Sequence, residues 1–111
     1  MSDPLLSTTA FGFEGYRVSH RLGLVRGSIV RSRSIVGNIG AAFQIFFCGN
    51  ITVYQSLAEQ TRAEAYDLLV AEANRVGANA VIAMRYDANE IAAAVTEVLA
   101  YGTAVVVEEI R

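Results

Sequence analysis

Leu68-Leu69-Val70-Ala71-Glu72-Ala73-Asn74-Arg75-Val76-Gly77-Ala78-Asn79-Ala80-Val81-Ile82 is where the chain changes its period. Up to Val76 the apolar residues recur every three or four positions, as on one face of a helix. Past Gly77 they run on almost without a break, as in a buried strand. The helical pattern reaches back to Asn50, or to Thr52 with Gln55 at the spacing of a capping box. Tyr54, Leu57, Ala58, Thr61, Ala65, Leu68, Leu69, Ala73 and Val76 form its inner stripe, and Glu59, Arg62, Glu64, Asp67, Asn74 and Arg75 its outer face. Glu59 with Arg62, and Glu72 with Arg75, fall at i,i+3 and are placed to pair. Gly77 suits the left-handed position that ends a helix. The segment from Thr52 to Asp87 therefore reads as one long helix turning directly into the strand Ala80 to Tyr86.

Ahead of the helix, Tyr16, Val18, His20, Leu22 and Leu24 alternate with Arg17, Ser19, Arg21 and Gly23, the pattern of a strand with one buried face. The phase slips by Val25 and Ile29, so a bulge is expected near Gly23 or Gly27. Arg31-Ser32-Arg33-Ser34 reads as a loop, and Ile39 to Cys48, with Ala42, Phe43, Phe46 and Phe47 at helical spacing, as a short helix stopped by Gly49. Residues 1–14, with Phe11 and Phe13 as isolated aromatics, read as a tail or as a short edge strand that pairs with another subunit. Beyond the helix, Asp87-Ala88-Asn89-Glu90 reads as a polar turn and Val95 to Ile110 as a further strand. Val105-Val106-Val107 is apolar on both faces, which suits the middle of a sheet, whereas the alternating first strand suits an edge. The fold class that follows is α+β. It is a β-α-β-β subunit over residues 1–111, with antiparallel strand order 1-3-2, helices on one face, and Val18 and Leu22 against the long helix.

Apolar residues make up 53% of the 111 and charged residues 18%, against about 45–50% and about 25% in ordinary domains. So small a chain does not hide that excess alone, and a homo-oligomer is expected. Residues 1–50 carry five Arg against Asp3 and Glu14, a balance of +3, whereas residues 51–111 carry four Arg against nine acids, a balance of −5. There is no Lys, and the whole chain is acidic, so the broad basic face of a nucleic-acid binder is not expected. The first residues lack the pattern of a secretory leader, and Gln44 interrupts the best apolar run. The reading is a cytoplasmic chain, with Cys48 reduced and no membrane partner.

Gly15-Tyr16-Arg17, Val25-Arg26-Gly27, Gly77-Ala78-Asn79-Ala80-Val81-Ile82 with Arg85-Tyr86-Asp87, and Ala100-Tyr101-Gly102-Thr103-Ala104-Val105 resemble the YbjQ-like family over about residues 15–109. Its members are small bacterial proteins labelled as binders of heavy metals. The resemblance implies a dodecin-like subunit assembled as a ring, typically a homopentamer. The chain departs from the family at Ala83, where the family tends to have Gly, and at Ala92-Ala93, where it tends to have a Gly pair.

The same resemblance implies a divalent metal ion, and soft-metal binding needs thiolate or imidazole. One subunit offers His20, Cys48 and the thioethers Met1 and Met84, and a ring lets each subunit donate one ligand to a shared site, which would use Asp87, Glu90 or His20 with a neighbour's carboxylate; His20, Cys48 and Asp87 are the candidate ligands. The bland readings are a core imidazole, a small buried hydrophobe and a turn residue, respectively. Covalent catalysis is not expected, since Ser19 and His20 are neighbours on a strand and regular geometry turns them to opposite faces. No glycine run is followed by the Lys-Ser/Thr of a phosphate loop, and no enzyme activity is expected. The remaining alternative is a scaffold or small-molecule-binding ring, with an apolar cavity between subunits lined by Phe43, Phe46, Phe47 and Tyr54.

Overall fold

The computed structural model describes residues 5–32, 52–93 and 95–110. The Phe-rich segment, Cys48, and the side chains of Tyr54, Gln55 and Leu57 lie outside the described residues. Among the described residues, four strands, β1 (Leu6–Ser7), β2 (Tyr16–Ser32), β3 (Ala80–Ala92) and β4 (Val95–Glu109), accompany one helix, α1 (Thr52–Arg75). The sheet runs β1-β3-β4-β2. The three long strands keep the expected antiparallel order with β4 in the middle. The addition is β1, which pairs in parallel with β3 of the same chain, so the sheet is mixed rather than antiparallel throughout.

The turn from helix to strand follows from three residues. Gly77 takes φ +90° and donates to the Asn74 carbonyl, and Ala78 donates back to the Ala73 carbonyl, so the last carbonyls of α1 are satisfied. Asn79 then joins the ladder with its side chain. Its Nδ2 donates to the Val107 carbonyl at 3.0 Å, and the Val107 N–H donates to its Oδ1 at 2.8 Å. The amide side chain thus substitutes for a peptide unit beside the central strand.

The buried stripe of α1 is Thr61, Ala65, Leu69 and Ala73, narrower than periodicity suggests, and Leu68 is 44% exposed. The cause is how closely α1 lies on β2. A Cβ placed on Gly27 would come within 2.2 Å of the Ala65 carbonyl oxygen and 2.5 Å of the Leu69 nitrogen. Small residues on the helix and glycine on the strand bring the backbones together, and Leu68 is pushed to the rim. Both expected i,i+3 ion pairs, Glu59 with Arg62 and Glu72 with Arg75, are present.

The sheet is buried on both faces at its centre. Toward α1, Val25, Val81, Met84, Ala100 and Ala104 meet Ala65, Leu69, Ala73 and Ala78. On the other face Ala80, Ile82, Val105 and Val107 pack with Val18 and Phe13. Val18 therefore lies away from α1, and Leu22 is 39% exposed. The expected contact of these two residues with the helix is not formed. Two bulges, between Val18 and His20 and between Arg21 and Gly23, explain the difference. Each adds one residue to β2 against β4 and turns the following side chains over, so no single alternating face runs from Tyr16 to Leu24.

Two segments expected as loop or turn are strand. Arg31 and Ser32 pair with Thr96 and Val95, and the Arg31 guanidinium reaches Glu64 on α1. Asp87 to Glu90 pair with Leu99 to Thr96, and the chain reverses only at Ala93. Their polarity reflects exposure on a ladder that runs past the core, not a change of direction.

The first segment wraps the free edge of β3. Leu6 N–H donates to the Asn79 carbonyl and Thr8 N–H to that of Val81, while Ala83 and Met84 donate to Ala10 and Thr8. Ser7 Oγ meets Tyr66 Oη at 2.7 Å, and Arg85 donates to the Thr9 carbonyl at 2.8 Å. Leu5 packs on the helix side of the sheet and Phe13 on the other, so the segment crosses the edge. Phe11 is 80% exposed. Ala83, between the register positions Ile82 and Arg85, is held at φ +52° by this contact. Such a conformation costs a residue with a side chain about 1–2 kcal/mol, part of which glycine would return as unfolded-state freedom. Ala83→Gly is therefore expected to raise stability by about 0.5–1 kcal/mol in urea unfolding; a loss of stability would show that Ala83 is unstrained.

Candidate functional site

His20 sits on β2 opposite Val106, just past the first bulge, and is exposed. It is not the core imidazole of the bland reading, because the bulge moves it off the face of Val18. The same bulge brings its neighbour round. Ser19 Oγ lies 3.1 Å from His20 Nδ1 and donates to the Val106 carbonyl at 3.1 Å. Regular strand geometry forbids that Ser–His contact; a bulged residue allows it. The hydroxyl has one proton and the carbonyl takes it, so in neutral His20 Nδ1–H donates to Ser19 and the Nε2 lone pair points away. Ser19 is not primed as a nucleophile here, since the base would have to accept the proton that the backbone already holds.

Asp87 is exposed on β3 opposite Leu99, with Asn89 Nδ2 donating to its Oδ2 at 3.2 Å. Val106 and Leu99, the β4 partners of His20 and Asp87, are seven residues apart. At about 3.3 Å per residue that is about 23 Å along the sheet. One chain does not bring His20 and Asp87 together, and Cys48 is outside the described residues. Among the described residues no group of three or more His, Cys, Asp or Glu could hold a metal ion. An ion bound through His20 and Asp87 would draw on more than one chain.

Tyr86, on the helix side of β3 opposite Ala100, is the described tyrosine with a displaced phenol. Burial raises its pKa above 10.0, Tyr66 adds to this, and Arg62 opposes it. The folded state thus favours the neutral phenol. Its contribution to stability is complete below the unfolded value near 10.0 and is lost as pH rises from there through the folded value. Tyr86→Phe is expected to remove that part of the alkaline loss and leave stability at neutral pH little changed, in urea titrations across the alkaline range. An unchanged alkaline profile would contradict the assignment. On the surface of α1, the hydrogen bond from Arg75 holds the Glu72 carboxyl below its ordinary range.

These elements define a small α+β chain in which, among the described residues, one helix packs on a four-stranded mixed sheet. The chain belongs to the YbjQ-like family: the family described as "Putative heavy-metal-binding" matches residues 5–108. A UPF0145 protein of Burkholderia mallei (strain SAVP1) is 58% identical over 105 residues, 95% of each chain. A UPF0145 protein of Burkholderia pseudomallei (strain K96243) has the same identity and coverage. A protein of unknown function from Pediococcus pentosaceus ATCC 25745 has a similar fold, with a TM-score of 0.55 at 17% identity over 94% of this chain and 98% of its own. No described helix is long and apolar enough to cross a membrane.

Proposed function

We propose that the chain is the subunit of a non-enzymatic, cytoplasmic homo-oligomer, a ring of five as the family resemblance implies, that binds or scaffolds rather than catalyses. The supporting observation is the number of large apolar side chains exposed on the surface of the sheet: Leu24 is 69%, Val30 51% and Ile91 56% exposed in a chain of 11.9 kDa. The molecule extends 58 Å along one axis and only 26 and 25 Å along the others, so its long strands end far from the small core. A second copy laid on that surface would remove those side chains from water. Sedimentation velocity tests this. Wild type is expected to sediment as an oligomer at micromolar concentration, and the double variant Val30→Glu, Ile91→Glu as a folded monomer. A wild-type monomer would refute the proposal.

Metal binding is the second reading, favoured by the family description and by the outward Nε2 of His20. A ligating imidazole commonly has its other nitrogen fixed by a hydrogen bond, as Ser19 fixes Nδ1 here. The ligands we assign are His20, Cys48 and Asp87, contributed by neighbouring subunits around a divalent ion.

A further inference from the structure

The strap from Leu5 to Phe11 is tied to the sheet mainly through its backbone. Leu6 and Thr8 N–H donate to the Asn79 and Val81 carbonyls, and Ala83 and Met84 N–H donate back to Ala10 and Thr8 at 2.7 and 2.9 Å. With Arg85 Nη1 on the Thr9 carbonyl at 2.8 Å, three consecutive strap carbonyls are held by three consecutive residues of β3. Ser7 adds its bond to Tyr66, and the Ala10 N–H donates to Thr8 Oγ1 at 3.1 Å within the strap itself. Apolar attachment is slight. No residue from Leu5 to Glu14 is buried, and Leu5 is the strap residue that packs on the core.

The sheet beneath has its own support. Ala80, Val81, Ile82 and Met84 are buried, and β3 is held along its other side by β4. Beyond Phe11, a Cβ on Gly12 would meet nothing within 4 Å, whereas Phe13 packs on the face away from α1. The strap can therefore swing at Gly12 with Phe13 left in place. Where few buried apolar contacts coincide with exposed backbone bonds, a segment opens at far less cost than global unfolding.

Ala83 couples such an opening to β3. Ile82 faces Thr103 and Arg85 faces Tyr101, so two residues, Ala83 and Met84, stand against one, Gly102. Gly102 accommodates this bulge, since a Cβ there would lie 2.6 Å from Val81 Cγ1 and 3.2 Å from Met84 Cα. The Ala83 N–H is aimed at the Ala10 carbonyl with φ at +52°. A left-handed alanine persists only while its surroundings impose it. We propose that the strap and Ala83 form a two-state latch on the edge of β3. In the closed state the strap carbonyls hold the bulge and Ala83 is left-handed. In the open state the strap leaves as a unit, Ala83 returns to negative φ, and the Ala80–Met84 edge is bared while α1, β2 and β4 stay folded. The strain belongs to the closed state alone, so it biases the latch toward opening. The strap thereby controls access to an edge whose N–H and C=O groups it otherwise seals.

Amide hydrogen exchange of the full chain, read residue by residue, tests the latch. The amides of Ala83 and Met84 are expected to exchange in step with those of Leu6 and Thr8, about tenfold or more faster than those of Leu69 and Val105. Thr8→Pro removes the donor to Val81; it should speed Ala83 and Met84 by about tenfold or more and leave Leu69 and Val105 unchanged. A variant that merely loosened the fold would speed all four. Ala83→Gly acts in the opposite direction, because glycine takes a positive φ without penalty. It should slow exchange at Leu6, Thr8 and Met84 severalfold. Exchange at Ala83 and Met84 no faster than at Val105 would overturn the proposal, as would a Thr8→Pro effect equal at Leu69. So would strap amides that Ala83→Gly leaves unchanged.

Discussion

Gly27→Val is expected to cost about 3 kcal/mol in urea unfolding, at the upper end for overpacking. Most overpacked sites can yield by rotating a side chain. Here the first atoms met are the Ala65 carbonyl oxygen at 2.2 Å and the Leu69 nitrogen at 2.5 Å, both backbone. Relief requires the helix to move off the sheet, which opens the cluster of Val25, Ala65, Leu69 and Ala73. Against a total stability of about 5–15 kcal/mol, such a loss is large. Gly12→Ala is the control, since nothing lies within 4 Å of its new Cβ; its effect should stay within about 0.5 kcal/mol. Equal effects at the two positions would mean that α1 does not lie so close to β2.

Leu69→Ala is expected to cost about 2–5 kcal/mol, the range for emptying a packed leucine site. Leu69 is fully buried between α1 and the sheet. The neighbouring Leu68 is 44% exposed, and Leu68→Ala should cost less than about 1 kcal/mol. Adjacent leucines with the same chemistry thus separate burial from composition. A comparable loss at both would show that Leu68 is covered, by a partner subunit or by another part of the chain.

The distinction between those leucines was not legible in the sequence. Periodicity of 3.6 assigns both to the inner stripe, and only the close approach at Gly27 narrows it. The helix, its stop at Gly77 and the central place of Val105 to Val107 were legible, because each depends on local chemistry or on an apolar run. The extension of β3 through Asp87 to Glu90 was not, since pairing with Thr96 to Leu99 holds those residues extended despite their turn-forming composition. The candidate site suffered most. The face on which His20 lies depends on a bulge, and a bulge is a property of two strands in register rather than of one strand's sequence. Ser19 reached His20 for the same reason. In β1, Leu6-Ser7 gave no periodic signal, because two residues are too few to carry one.

Native mass spectrometry of protein purified without chelator, before and after EDTA, tests the account most directly. We predict a homo-oligomeric mass that is a whole multiple of 11.9 kDa and that persists after EDTA, since the apolar surface around Leu24, Val30 and Ile91 needs no ion to hold it together. An EDTA-removable metal in fixed ratio to that assembly would identify the second reading as a property of the same oligomer. A monomer before EDTA, or an assembly that falls apart when metal is removed, would contradict the central claim.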